Sequence, residues 1–163
     1  LAGQARVREL AVAAAVAVVV EARRAGAAQR LVEAETAAAA GFTQVIAMSG
    51  CAHLWSTKVL RAGMGAHRLL DLYEGWSNQQ VLSAVTAPLL AAKADAEQDL
   101  FALKKELLHP VAWVMGSEGQ GVSDDLLSQS KGISIPIDPR VESLNVSTAA
   151  AVCLFETLRV RRA

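Results

Sequence analysis

Short apolar runs rich in β-branched residues alternate with helical stretches along this 163-residue chain, and that alternation constrains its fold most. The runs are nearly continuous in apolar residues, which is typical of strands covered on both faces. We predict strands at 12–21, 43–48, 69–72, 88–93, 111–115 and 133–137. We predict helices at 27–40, 56–61, 77–85, 124–130 and 143–161, and a loop with a helix over 95–109. The pattern therefore predicts an α/β fold, with a parallel sheet flanked by helices.

Length and composition restrict the class of protein. Hydrophobic residues make up 53% of the chain and charged residues 20%, which excludes an intrinsically disordered composition. Sixteen Lys and Arg balance sixteen Asp and Glu, so bulk charge does not indicate a strongly cationic nucleic-acid or membrane binder. The longest apolar run, Leu10 to Val20, is about half of the roughly 20 residues that a membrane-spanning helix needs. We therefore expect one domain, at 1–163, and no membrane partner.

The cysteines and histidines do not form a metal-binding pattern. Cys51 and Cys153 are far apart and lie in apolar stretches, so we interpret both as reduced, structural residues in a reducing compartment. His53 and His67 flank the predicted helix at 56–61, and no third ligand follows at a suitable spacing. We expect no metal site.

The segment VMGSEGQGV at 114–122 is the sharpest local signal. A predicted strand runs directly into three glycines within six residues, Gly116, Gly119 and Gly121. Glycine permits a positive φ and close approach of a ligand to the backbone, and open α/β sheets bind ligands at the carboxyl ends of their strands. The spacing matches neither the dinucleotide fingerprint nor the phosphate-binding P-loop. It indicates either another kind of ligand site or a tight structural turn.

A second segment, IPIDPRVESLNVS at 135–147, leads from a predicted strand through a loop into the last helix. Ser143 is a plausible cap for that helix, with Asn145 and Ser147 in its first turn, because small polar residues favour helix starts. The same three side chains, beside the end of a second strand, are suited to hydrogen-bond a substrate. Both interpretations stay open.

Together these segments resemble the second and third signatures of the SpoU-type (TrmH-like) RNA ribose 2′-O-methyltransferases, a family of the SPOUT superfamily. The third signature is matched closely by IPIDPRVESLNVSTAAAVCLFE at 135–156. The stretch SGCAHLWSTKVLRAGMGAH at 49–67 also looks like the family's segment after its second strand. The resemblance extends in consistent order from about Gly41 to Arg161.

The resemblance implies a trefoil knot near the C-terminus, S-adenosylmethionine bound at that knot, and a homodimer whose active site borders both subunits. It implies methyl transfer to a ribose 2′-hydroxyl of ribosomal or transfer RNA, in the cytoplasm, and a separate upstream RNA-binding extension outside this chain. By position, the residues implied to hold the cofactor are Met115, Gly116, Gly121, Ile135, Ile137 and Leu144. Those implied on the catalytic side are Glu118, Ser143 and Asn145.

The family's first signature, approximately N-x-G-x-x-x-R-T-A-x-x-x-G, is altered in this chain. When it is aligned on Gly41, its catalytic arginine falls on Glu35, its asparagine on Gln29 and its first glycine on Leu31. A carboxylate does not replace a guanidinium chemically. The alternative function is therefore a catalytically silent RNA- or cofactor-binding module of the same fold.

Besides a silent module, two further explanations fit the presence of Glu35 at the arginine position. A nearby arginine, such as Arg30, substitutes for the missing one, or the N-terminal stretch is not an ordinary family sequence. That stretch is unusual in composition, since 16 of the chain's 32 alanines lie in its first 40 residues.

Surface candidates outside the signatures are weaker. A modest basic cluster that suits phosphate, or is only a solvated helix face, consists of Lys58, Arg61 and Arg68. The tryptophans, interpreted as core or interface residues rather than base-stacking platforms, are Trp55, Trp76 and Trp113. The closing arginines, interpreted as favourable charges at a helix C-terminus, are Arg159, Arg161 and Arg162.

Overall fold

A computed structural model describes residues 17–20, 29–51, 54–62, 65–117 and 120–163, which contain one seven-stranded sheet. Its strands are β1 (Ala17–Val20), β2 (Gln44–Met48), β3 (Asp71–Trp76), β4 (Leu89–Ala92), β5 (Gln98–Asp99), β6 (Ala112–Met115) and β7 (Ser130–Ser134). Their order is β3-β2-β1-β6-β4-β7-β5, and all neighbouring strands are parallel. The predicted α/β class with a parallel sheet is confirmed.

Helices connect these strands and cover the sheet. They are α1 (Gln29–Ala39), α2 (Thr57–Ala62), α3 (Asn78–Ala84), α4 (Asp124–Leu127) and α5 (Val146–Arg162), with 3₁₀ turns at Ala66–Arg68, Leu100–Ala102 and Glu106–Leu108. Ser77 starts α3 in a capping box: its hydroxyl accepts from the Gln80 N–H at 3.3 Å, and the Gln80 side chain accepts from the Ser77 N–H at 2.9 Å. Within the described residues, no helix is both long enough and apolar enough to cross a membrane.

Each face of the sheet packs against its own apolar core. In β6, Trp113 and Met115 belong to the core that includes α1 and α5, whereas Ala112 and Val114 belong to the opposite core. The Trp113 indole N–H donates to the Thr157 hydroxyl of α5 at 3.0 Å, so its polar atom is satisfied inside the protein. Burial on both faces explains why the strand sequences are nearly continuous in apolar residues.

The alanines of α1 have a packing role. Ala34, Ala37 and Ala40 are buried, and α1 packs against α5. Side chains this small let two helices approach closely, and alanine also has the highest intrinsic helix propensity. Part of the unusual alanine content is thus explained by the interface between α1 and α5.

Several predicted boundaries were wrong. The strand predicted at 133–137 lies at 130–134, because Pro136 has no N–H to extend the ladder, so Ile135 and Ile137 follow β7 instead of belonging to it. The helix predicted at 143–161 begins at Val146, and its cap is Asn145 instead of Ser143. The helix predicted at 124–130 ends at Leu127, since β7 starts three residues later.

Differences also occur earlier in the chain. The strand predicted at 69–72 runs from Asp71 to Trp76, because the 3₁₀ turn at Ala66–Arg68 occupies the preceding residues. The region 95–109 holds the short strand β5 and two 3₁₀ turns instead of an α-helix. Of the strand predicted at 12–21, the described part is β1, and the remainder lies outside the described residues.

Candidate active site

A cavity of about 620 Å³ lies at the carboxyl ends of β4, β6 and β7. Its volume is within the roughly 300–1,000 Å³ typical of ligand pockets. Three connections supply most of its wall, one after each strand, and the start of α5 completes it. The lining residues used below are Lys93, Asp95, Gly116, Gly121, Ile135, Ile137, Ser143, Leu144 and Asn145.

The connection after β6 turns back on itself in a short hydrogen-bonded loop. Ser117 and Gly121 exchange two backbone hydrogen bonds, each 2.9 Å long. Gly121 has a φ of +68°, in the left-handed region that favours glycine. A Cβ on Gly116 would collide with backbone atoms of Gly121 and Val122. Both glycines are therefore required by the turn itself, and the turn forms one wall of the cavity.

The connection after β7 forms the facing wall. Asp138 organises it: its carboxylate accepts hydrogen bonds from the Arg140 backbone N–H at 2.9 Å and from the Arg140 guanidinium at 2.8 and 2.9 Å. The guanidinium lowers the pKa of the Asp138 carboxyl. Beyond this loop, the Asn145 Oδ1 accepts from the Ser147 N–H at 2.9 Å and caps α5. Asn145 thus lies both at the helix start and on the cavity wall.

The cavity brings together seven of the nine site residues predicted from the sequence. They are Gly116, Gly121, Ile135, Ile137, Ser143, Leu144 and Asn145. Met115, although itself described, does not line the cavity, because its side chain is fully buried in the core. Glu118 lies outside the described residues.

An ion pair on the cavity wall was missed by the sequence analysis. The Lys93 Nζ lies 2.9 Å from the Asp95 Oδ1, and both residues line the cavity after β4. The hydrogen bond from Lys93 lowers the pKa of the Asp95 carboxyl. Ligands bind at the carboxyl ends of parallel strands, but only the sheet order places the end of β4 between those of β6 and β7.

Glu35 is exposed on α1 and is not one of the described residues that line the cavity. The carboxylate at the position of the expected arginine is thus not part of the cavity wall in this structure. Arg23 and Arg24, two weaker candidates to substitute for the missing arginine, lie outside the described residues, as does His53.

Both cysteines are free thiols. The Cys51 thiol donates to the Val20 carbonyl oxygen at 3.3 Å, and burial raises the pKa of the Cys153 thiol to about 12. The described residues contain no group of three or more His, Cys, Asp or Glu side chains placed to hold a metal ion.

Residues 32–155 match the model of the SpoU rRNA Methylase family. The chain belongs to this family. It is 34% identical over 128 residues to an uncharacterized tRNA/rRNA methyltransferase of Synechocystis sp., a match that covers 76% of this chain and 46% of that protein. It is 45% identical over 73 residues to the 23S rRNA (guanosine-2′-O-)-methyltransferase RlmB of Ralstonia nicotianae, covering 41% of this chain and 26% of that protein. The chain therefore spans less than half of the length of each of these two relatives.

Solved structures share the fold. The SpoU methyltransferase AviRb of Streptomyces viridochromogenes, in complex with AdoMet, superposes with a TM-score of 0.84 at 20% identity, covering 95% of this chain and 64% of that one. A structure concerning the 2-OH methylation of C/U34 on tRNA superposes with a TM-score of 0.74 at 27% identity. That match covers 88% of this chain and 94% of the other.

Proposed function

We propose that this chain is the catalytic domain of an S-adenosylmethionine-dependent methyltransferase that acts on a ribose 2′-hydroxyl of ribosomal or transfer RNA. The observation that carries the proposal is the cavity in which the glycine turn after β6 meets the loop after β7. These two segments resemble the family's second and third signatures, and the second signature and most of the third lie within residues 32–155, which match the family model. The relative RlmB is a 23S rRNA (guanosine-2′-O-)-methyltransferase, which supports the same reaction.

The cavity wall fits the proposed cofactor. Ile135, Ile137 and Leu144 supply apolar surface for a purine ring and a methionine chain, and the backbone of the glycine turn offers polar groups beside them. Lining of this kind, mostly apolar with a few polar groups, is typical of small-molecule sites. When bound, S-adenosylmethionine would supply the methyl group of its sulfonium centre.

Ser143 and Asn145 would position the ribose. Both are exposed and both line the cavity, with a hydroxyl and an amide that donate and accept hydrogen bonds. Neither side chain is a base at neutral pH, so we assign them orientation of the substrate instead of proton removal. Holding the hydroxyl in line with a transferable group is a large part of what such an enzyme contributes.

A knotted backbone belongs to the same proposal. β4 lies between β6 and β7 although it precedes both in the chain, and α5 packs back against β6 and β4 after the loop that follows β7. These contacts support a trefoil knot near the C-terminus. Stretching the chain by its ends should give a contour length shorter than that of an unknotted chain, and full extension would refute the knot.

A homodimer is also part of the proposal. Phe155 is 46% exposed on α5, the helix whose first residues line the cavity, so a partner placed along α5 would border the site. Sedimentation at micromolar concentration should give the mass of two chains, and Phe155→Glu should give one. A monomeric wild-type protein would contradict the dimer.

The function is tested by incubating the protein with radiolabelled S-adenosylmethionine and unmethylated ribosomal and transfer RNA. Cofactor binding is measured by equilibrium dialysis, and methylation by label in alkali-resistant dinucleotides, which a 2′-O-methyl group creates. Ile137→Asp places a charge on the cavity wall and should weaken cofactor binding at least tenfold. Val141→Asp, an exposed site in the same loop, is the matched control. Absence of cofactor binding by the wild type would refute the proposal.

Glu35 favours a second candidate, a catalytically silent module of the same fold. The same experiment separates the two candidates. Cofactor binding without methyl incorporation into any RNA would support the silent module, and incorporation would exclude it.

A further inference from the structure

Trp55 differs from the other tryptophans in its exposure to solvent. Its side chain is 57% exposed, whereas Trp76 and Trp113 are 6% and 0% exposed. Trp76 and Trp113 are therefore core residues, as predicted, whereas Trp55 is not in the core. Tryptophan is enriched at interfaces because it combines a large apolar ring with a polar N–H, so a tryptophan this exposed is a candidate contact for another molecule.

The surroundings of Trp55 are anchored to the fold. Its ring lies 5.5 Å from the ring of His67, centroid to centroid, at an interplanar angle of 55°. The His67 Nε2–H donates to the Leu54 carbonyl oxygen at 2.9 Å, and the Leu54 N–H donates to the Glu74 carboxylate. His67 and Leu54 are both buried. Trp55 is thus held by buried neighbours on one side, while more than half of its surface is exposed to solvent.

The segment that carries Trp55 is basic within a chain of zero net charge. Residues 49–70 contain Lys58, Arg61 and Arg68 and no Asp or Glu. The side chains of Arg61 and Arg68 are exposed. An exposed aromatic ring in the same segment as exposed cations suits a ligand with flat rings and negative charge, which is the chemistry of single-stranded nucleic acid.

The topology places this segment at the carboxyl ends of the strands, where the cavity also lies. It follows the carboxyl end of β2, and β1 alone separates β2 from β6 in the parallel sheet. With about 4.8 Å between neighbouring strands, the ends of β2 and β6 are roughly 10 Å apart. A strand of RNA that reaches the cavity is therefore able to reach Trp55 within a few nucleotides.

We propose that Trp55 stacks on a nucleobase of single-stranded RNA that flanks the nucleotide held at the cavity, while Arg61 and Arg68 contact its phosphates. This inference rests on the proposed function for its partner. Sequence-specific recognition of RNA commonly uses unpaired bases stacked on aromatic side chains.

The test uses a fluorescein-labelled 15-nucleotide oligoadenylate and measures its Kd by anisotropy over a series of salt concentrations. Trp55→Ala should raise the Kd by about 5- to 150-fold, the range found for loss of one stacked base, and should leave the salt dependence unchanged. Trp55→Phe should restore much of the binding. Arg68→Ala should instead reduce the salt slope by about 0.7, the value for one phosphate contact on a single strand.

Leu108→Ala is the matched control. Leu108 is 58% exposed, but it precedes β6 and so lies at the amino ends of the strands, away from the cavity. Its Kd should stay within twofold of that of the wild type. A Trp55→Ala Kd within twofold of the wild type, or a wild type that does not bind the oligonucleotide, overturns the inference. So does a change of oligomeric state in Trp55→Ala, which would assign Trp55 to a protein contact. Cofactor binding and methylation by the wild type are measured separately, so the proposed function fails or stands independently of Trp55.

Discussion

Asn145 has two roles to separate, because it caps α5 and also lines the cavity. Its Oδ1 accepts from the Ser147 N–H, one of the N–H groups left without a partner at the start of a helix. Its amide group is a donor that the cap does not require. Asn145→Ala removes both functions, whereas Asn145→Asp keeps an oxygen acceptor and removes the donor.

The expected magnitudes differ enough to decide between the roles. Loss of the cap in Asn145→Ala should cost about 1 kcal/mol, or about 2–4 °C in Tm for a chain of this length. Against a typical stability of roughly 5–15 kcal/mol, well over 99% of the protein then stays folded. Asn145→Asp should retain nearly all of the stability, since a carboxylate also favours a helix N-terminus. Both variants should lose roughly 2- to 12-fold in kcat, which corresponds to the loss of about 0.5–1.5 kcal/mol for one hydrogen bond between neutral groups.

Thermal unfolding gives Tm, and methyl transfer under saturating S-adenosylmethionine gives kcat, for both variants and the wild type. Asn145→Ser is the matched control for capping, because a serine hydroxyl is an equally good cap. If Asn145→Asp keeps both the Tm and the kcat of the wild type, Asn145 is a structural cap alone and its catalytic assignment is wrong.

The remaining predictions concern the glycine turn and α5. Gly116→Ala should distort the turn, because its Cβ would collide with backbone atoms, and should abolish cofactor binding measured by calorimetry. A Cβ on Gly121 would meet no atom, but the residue has a positive φ, so Gly121→Ala should cost about 1–2 kcal/mol of stability. Equal losses of cofactor binding in the two variants would contradict this difference in geometry. Arg159 donates two 2.7 Å hydrogen bonds to Glu156 and lowers the pKa of that carboxyl from its ordinary value of 4.5. Arg159→Ala should therefore lower the urea midpoint at pH 7, and the difference should disappear as the pH falls through the lowered pKa of Glu156; a difference that persists at pH 2 would refute this linkage.

The sequence predicted the strands best where both faces are buried. β6 and β4 are almost as predicted, since VAWVM and LLAA carry the signal of burial directly. β7 has the polar sequence SKGIS, and β5 is a two-residue edge strand, so neither has an apolar run to identify its position. Their places depend on pairing with β4 and with each other, which local sequence does not encode.

The site was predicted in part for a similar reason. Gly116, Gly121 and Asn145 were found because turns and helix starts need particular residue types. The Lys93–Asp95 pair was missed because its position follows from the place of β4 in the sheet. The cap was assigned to Ser143 instead of Asn145 because both residues are good caps, and the loop after β7 decides where α5 begins.

The place of β1 in the sheet has a consequence during synthesis of the chain. β1 is paired on one side by β2, but its other edge is paired by β6, with Val18 opposite Trp113, roughly 95 residues later. At about 5–20 residues per second, a ribosome needs on the order of 5–20 s to make that interval. For this time the strand AVVV keeps one edge open, and open apolar edges invite pairing with other chains. Solubility of the nascent chain therefore depends on protecting the future centre of the sheet until β6 has left the ribosome.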